Sequence, residues 1–234
     1  MDWIGIIERE GHALSAAARH DTTAAIPSCP GWDVDELLKH VSSAHRWANS
    51  ILRDRRMDRG ERATTPPEGG SLSWYEAGLA EFLDTLRGID PSTPVWTFGP
   101  DRTANFWFRR QAHETAVHRV DAEQATGTVT PIDPAFAADG IAESLEVMVP
   151  RLARDNAKAG GTLHLHTTDT EGEWLLRFQD GAVEVELGHA KGDAAVRGPA
   201  ADLYLWMWGR GTGDTLERFG DPDLPERFVA LSRV

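Results

Sequence analysis

The sequence predicts a helical first part, residues 1 to about 155, followed by a smaller α+β part, residues 156 to 234. Three observations carry this. Apolar residues recur at helical spacing in five successive stretches before residue 150. After Gly160 the period becomes two: Leu163, Leu165 and Thr167 alternate with His164 and His166. Asp180-Gly181 then joins two further alternating stretches, as a hairpin turn does.

Each element has its own signal. Trp3, Ile6, Ile7, Leu14 and Ala17 set a first helix, and Asp21 to Pro30 is a polar connection. Asp33 caps the second helix, with Glu36 placed for a capping box and Trp32 for a hydrophobic staple on Leu37. Its apolar stripe is Leu37, Val41, Ala44, Ala48 and Ile51, and His40 lies within it. Arg53 to Gly70 is charged and then rich in proline and glycine, a loop pattern. Ser73 with Glu76 reads as a capping box for a third helix, stopped by Gly88 and Pro91. Val95 to Pro100 reads as a linker with exposed Trp96 and Phe98. A fourth helix runs from about Thr103 to Gly127. Asp133-Pro134 opens a fifth, expected to break near Pro150. The strand stretches are 163–167, 174–179, 183–187 and 194–197, followed by an apolar helix from Pro199 to Trp208, stopped at Gly209.

Composition excludes several functions. The 234 residues carry a formal net charge of −13 and show no basic face for nucleic acid. Basic residues are almost all Arg, a usage that suits a GC-rich genome. Cys29 is the only cysteine, so no internal disulfide exists and the cytoplasm is the expected compartment. The N-terminus lacks a signal-peptide pattern, and no run of about 18 uncharged apolar residues exists to span a membrane.

The chemistry concentrates in the fourth helix, in His113-Glu114-Thr115-Ala116-Val117-His118-Arg119-Val120-Asp121. Glu114 and His118 are four residues apart and share a face, which is half of a divalent-metal site. The same spacing also suits a surface ion pair. His113 points roughly 140° away from His118, so this is not the His-Glu-x-x-His protease pattern. His40 offers a third ligand, and His45 is a rival on the same helix. Asp121, three residues after His118, can orient its imidazole; His113 fits either an outer hydrogen bond to the site or a surface position. His164 and His166 share one strand face, a pair that also suits an ordinary half-exposed sheet.

Four helices with a histidine on the second and Glu-x-x-x-His on a later one look like the DinB-like metalloprotein bundle. Cys29-Pro30-Gly31-Trp32-Asp33 and the His113–Asp121 run resemble, more closely, the mycothiol-dependent maleylpyruvate isomerase family. Val196-Arg197-Gly198-Pro199-Ala200-Ala201-Asp202-Leu203 and Gly209-Arg210-Gly211 fit that family's sterol-carrier-like (SCP2-like) C-terminal domain. The resemblance implies a zinc ion on His40, Glu114 and His118, mycothiol as co-substrate, and Arg210 as the catalytic arginine. The implied partners are a small-molecule substrate and a low-molecular-weight thiol, with neither nucleic acid nor membrane, in a monomer or homodimer.

Two imidazoles and one carboxylate leave zinc an open position, as catalytic sites do. A thiol there favours the thiolate, which can add to a conjugated acid, permit bond rotation and leave, giving cis–trans isomerisation; displacing a leaving group instead gives thiol transfer. Cys29 is expected not to be that thiol. Arg210, Arg197, Arg109 and Arg110 are available for a substrate carboxylate. Two other classes use similar residues: a non-haem Fe(II) enzyme, through a two-histidine, one-carboxylate triad, and a small-molecule carrier with a structural metal.

Overall fold

The computed structural model describes residues 1–62 and 70–232. The chain divides into two compact units, Met1–Thr130 and Pro131–Val234. In the first unit, helices α1 (Trp3–Ala18), α2 (Val34–Arg53), α3 (Ser71–Gly88) and α4 (Ala104–Thr126) make a four-helix bundle. α1 packs on α4 and α3, and α2 on α3 and α4.

Local chemistry explains the helix ends. Asp33 accepts a hydrogen bond from Glu36 N at 2.9 Å and caps α2, as expected. The Glu36 carboxylate instead pairs with Lys39. The capping box expected at Ser73 is absent: α3 opens at Ser71 after Gly70, and Ser73 Oγ donates back to the Gly70 carbonyl. α4 ends at Gly127, whose φ of +124° suits a residue without a Cβ. Asp133 caps α5 (Pro134–Glu143) through Phe136 N. The helix expected to break near Pro150 first widens into a π turn over Ser144–Met148, and Pro150 lies in the first turn of α6 (Val149–Asn156), where a missing N–H is harmless. Residues 63–69 of the Arg53–Gly70 loop lie outside the described residues.

The second unit is α+β. Strands β1 (Thr162–Thr167), β2 (Glu173–Gln179), β3 (Ala182–Leu187), β4 (Ala194–Gly198) and β5 (Glu217–Gly220) form one sheet in the order β3-β2-β1-β4-β5. β1 and β4 run parallel, and the other neighbours antiparallel. Helices α7 (Ala200–Met207) and α8 (Asp223–Ser232) complete it. Gly181, at φ +70°, makes the expected turn between β2 and β3. β5 and α8 carried no signal in the sequence reading, and all four β5 residues are exposed, which leaves no alternation to detect.

The boundary expected near residue 155 moves to Thr130. Helical periodicity continues to residue 156, but α5 packs on α7, and α6 packs on α8 and β3. Periodicity reports secondary structure, not the core that a helix joins. Among the described residues, no helix is long and apolar enough to cross a membrane.

α4 buries residues on nearly every side, from Ala104 to Glu123. Arg119 is fully buried on it. Its Nε donates to Glu10 at 2.8 Å, and its Nη1 to Glu123 at 2.7 Å and to the Thr130 carbonyl at 2.7 Å. This network ties α1 to α4. Trp96 and Phe98, expected to be exposed, belong to an aromatic cluster with Trp47, Phe106 and Trp107, and Trp107 Nε1 donates to the Trp96 carbonyl at 2.9 Å.

Candidate metal centre

α2 and α4 bring His40, Glu114 and His118 together. Their donor atoms lie within 4.8 Å of one another. Glu114 Oε1 is 3.1 Å from His40 Nε2 and 3.6 Å from His118 Nε2. Zinc bonds of ~2.0–2.2 Å in a tetrahedron space donors roughly 3.2–3.6 Å apart, so the three side chains fit one ion with little rearrangement. Two imidazoles and a carboxylate also suit zinc chemically, over magnesium or calcium.

The surrounding residues orient these donors. His118 Nδ1 donates to Asp121 Oδ2 at 2.8 Å, and Asp121 is wholly buried. A carboxylate only accepts, so this bond fixes the proton on Nδ1 and leaves Nε2 to face the centre. Ser28 Oγ donates to the other Asp121 oxygen. Arg110, itself buried, places Nη2 3.5 Å from Glu114 Oε2. Ser28, from the α1–α2 connection, is the orienting residue that the sequence reading missed. Its only sequence signal is its place directly before Cys29-Pro30-Gly31-Trp32-Asp33.

That motif builds a turn rather than a ligand set. Trp32 N bonds to the Cys29 carbonyl at 3.0 Å, Pro30 and Gly31 are the central residues, and Gly31 has φ +86°. This is the type II pattern, which favours proline then glycine. The turn delivers Asp33 to cap α2 and sets the Trp32 ring 5.1 Å from the His40 ring.

The electrostatics follow from close pairing under burial. Burial pushes the Glu114 carboxyl up, but hydrogen bonding with His118 and His40 outweighs it and holds the group well below the usual carboxylate range. Burial pushes the His118 imidazolium down, but Asp121 and Glu114 outweigh that and raise it to about 9.

His45, the rival ligand, is elsewhere employed. It is fully buried, stacks on Phe82 with ring centroids 5.3 Å apart, and spends Nε2 on Thr115 Oγ1 at 2.9 Å. Burial lowers its pKa to about 4. His113 is buried beside Trp3, not on the surface. Cys29 is half-buried, with its Sγ 3.9 Å from Ser28 Oγ. Arg210 belongs to the second unit, is buried, and donates from Nη1 to the Trp208 carbonyl at 2.6 Å.

The family model described as "Mycothiol maleylpyruvate isomerase N-terminal domain" matches residues 6–123. The chain belongs to the mycothiol maleylpyruvate isomerase family. A second family model, for the C-terminal domain of the same isomerase, matches residues 135–227, starting close to the observed division between units. Two solved structures share the fold. A crystal structure of the mycothiol-dependent maleylpyruvate isomerase is 14% identical, with a TM-score of 0.61 over 93% of this chain and 91% of that one. A histidine-to-alanine mutant of that isomerase is 15% identical, with a TM-score of 0.60 over the same shares. No curated protein sequence matches this chain.

Proposed function

We propose that the protein is a zinc-dependent enzyme that uses mycothiol to isomerise a small unsaturated acid of the maleylpyruvate class, acting in the cytoplasm as a monomer or homodimer. The observation that carries this reading is the convergence of His40 Nε2, Glu114 Oε1 and His118 Nε2, with His118 anchored on buried Asp121, in a chain of this family. Among the described residues this cluster offers three protein ligands, which leaves an exchangeable position, as catalytic rather than structural zinc sites do. A zinc ion held there would favour the thiolate of an incoming thiol.

The chain's own residues have separate tasks. Asp121 and Ser28 hold the His118 ring in place. Arg110 lies against the outer oxygen of Glu114, 3.5 Å away, and leaves the inner oxygen to the two histidines. Arg210 is assigned the substrate carboxylate, which its planar fork can grip at two points. Trp32 packs at a tilt against the His40 ring and braces it from one side.

The test is turnover of maleylpyruvate by metal-analysed protein, with and without mycothiol. The reading expects about one zinc per chain at this site, its loss in a His40→Ala, His118→Ala double variant, and turnover only when both metal and thiol are present. Turnover that persists without thiol, or in the metal-free double variant, refutes it. Analysis that finds iron in this centre would favour the Fe(II) alternative, for which the same donor set is suited.

A further inference from the structure

A second cluster of histidines lies in the C-terminal unit, on strands the isomerase reading does not use. Alternation puts His164 and His166 of β1 on one face of the sheet, while Leu163 and Leu165 fill the core on the other. Glu173, the first residue of β2, pairs in register with His166 and shares that face. β3 then ends at Leu187. Gly188, at φ +107°, turns the chain while its N–H bonds to the Glu173 carbonyl at 3.0 Å, and this brings His189 back over Glu173.

The result is three imidazoles around one carboxylate. Glu173 Oε2 is 2.9 Å from His189 Nδ1 and 3.4 Å from His164 Nε2, and Glu173 Oε1 is 3.6 Å from His166 Nε2. His164, Glu173 and His189 place their donor atoms within 4.8 Å of one another. The His164 side chain is 8% exposed, and its Nε2 is buried without a hydrogen-bond partner. An orphaned, buried imidazole nitrogen in a fold is uncommon and calls for a missing partner. Here the atom faces the Glu173 carboxylate oxygen to which His189 Nδ1 is hydrogen-bonded, and a divalent ion at that point would take the place of the His189 proton.

We infer that His164, Glu173 and His189 form a second divalent-metal site, selective for a borderline transition ion such as zinc, with His166 holding the far oxygen of Glu173. The spacings of 2.9 and 3.4 Å are close to the roughly 3.2–3.6 Å edges of a tetrahedral zinc site. Imidazole donors favour zinc, copper or nickel over magnesium or calcium. The adjacent cation on the face, Arg197, is paired with Glu217 at 3.3 Å, so its charge is partly offset. The site joins β1, β2 and the segment after β3. Its role is to pin His189, whose side chain is 80% exposed, and with it the end of β3 to the middle of the sheet.

The inference is independent of the isomerase reading, and metal counting separates the two. Chelator-stripped full-length protein is titrated with Zn²⁺, and with Co²⁺ for its ligand-field bands. Wild type should bind two ions. The His40→Ala, His118→Ala variant should bind one and still gain thermal stability from zinc. The His164→Ala, His189→Ala variant should bind one, with no change in the ion held by the helical unit. His189→Ala alone, outside the strands and exposed, guards against misfolding and should weaken the sheet-site ion at least tenfold. The inference is overturned if wild type and His164→Ala, His189→Ala bind the same number of ions. It is equally overturned if His189→Ala leaves both affinities unchanged, or if the His40→Ala, His118→Ala variant binds none.

Discussion

Asp121→Asn tests the proposed metal centre more finely than removal of a ligand. The substitution keeps the shape of a wholly buried side chain and removes its charge. Two opposing effects follow. Losing a charged partner of the His118 imidazole lowers its basicity as a ligand, an outer contact typically worth 10–100-fold in metal affinity, or about 1.4–2.7 kcal/mol. Yet the same charge helps raise the His118 pKa to about 9, so at pH 7 metal must displace a proton. Two pH units below the pKa, that displacement costs roughly 2.7 kcal/mol. Asp121→Asn moves the pKa back toward its ordinary value and relieves part of this competition. The affinity loss should therefore be small near pH 7 and approach the full 10–100-fold above pH 9, where His118 is neutral in both proteins. Competition against a chromophoric chelator, read at pH 7 and pH 9.5, measures both, with the sheet site removed by His164→Ala, His189→Ala. A loss that is larger at pH 7 than at pH 9.5, or no loss at either, would show that Asp121 does not tune the ligand through His118.

Three further outcomes are expected. Without metal, the stabilisation that His118 gains from Asp121 and Glu114 is fully present below pH 6.5 and lost as pH rises through about 9; the denaturant midpoint of zinc-free protein should fall across that window, and His118→Gln should flatten the fall. Arg119→Ala strands Glu10 and Glu123 in the interior, and removing one partner of a buried pair costs about 3–5 kcal/mol, read as a melting point lowered by roughly 6–20 °C. In the mycothiol-dependent assay Cys29→Ser should keep most turnover, while Arg210→Lys loses one charge-assisted contact of roughly 2–3 kcal/mol, about 30- to 150-fold in rate, with metal content unchanged; the reverse pattern would make the protein's own cysteine the nucleophile.

The elements that rest on local chemistry were legible in the amino-acid order alone. Asp33 and Asp133 cap their helices, Gly127 stops α4 and Asp180-Gly181 turns β2 into β3, because each depends on a few adjacent residues. The Glu114/His118 pair was legible for the same reason, since helical pitch alone puts residues four apart on one face. Only tertiary structure could decide between His40 and His45. Both lie on α2, and packing turns one toward Glu114 and the other into a pocket with Phe82 and Thr115. It also decided that Ser28, ninety-three positions before Asp121, completes the support of His118. The unit boundary at Thr130 and the meeting of His189 with Glu173 and His164 likewise depend on which surfaces pack. Such contacts join residues far apart in the chain, and no periodicity or spacing within one sequence encodes the partner that a side chain will meet.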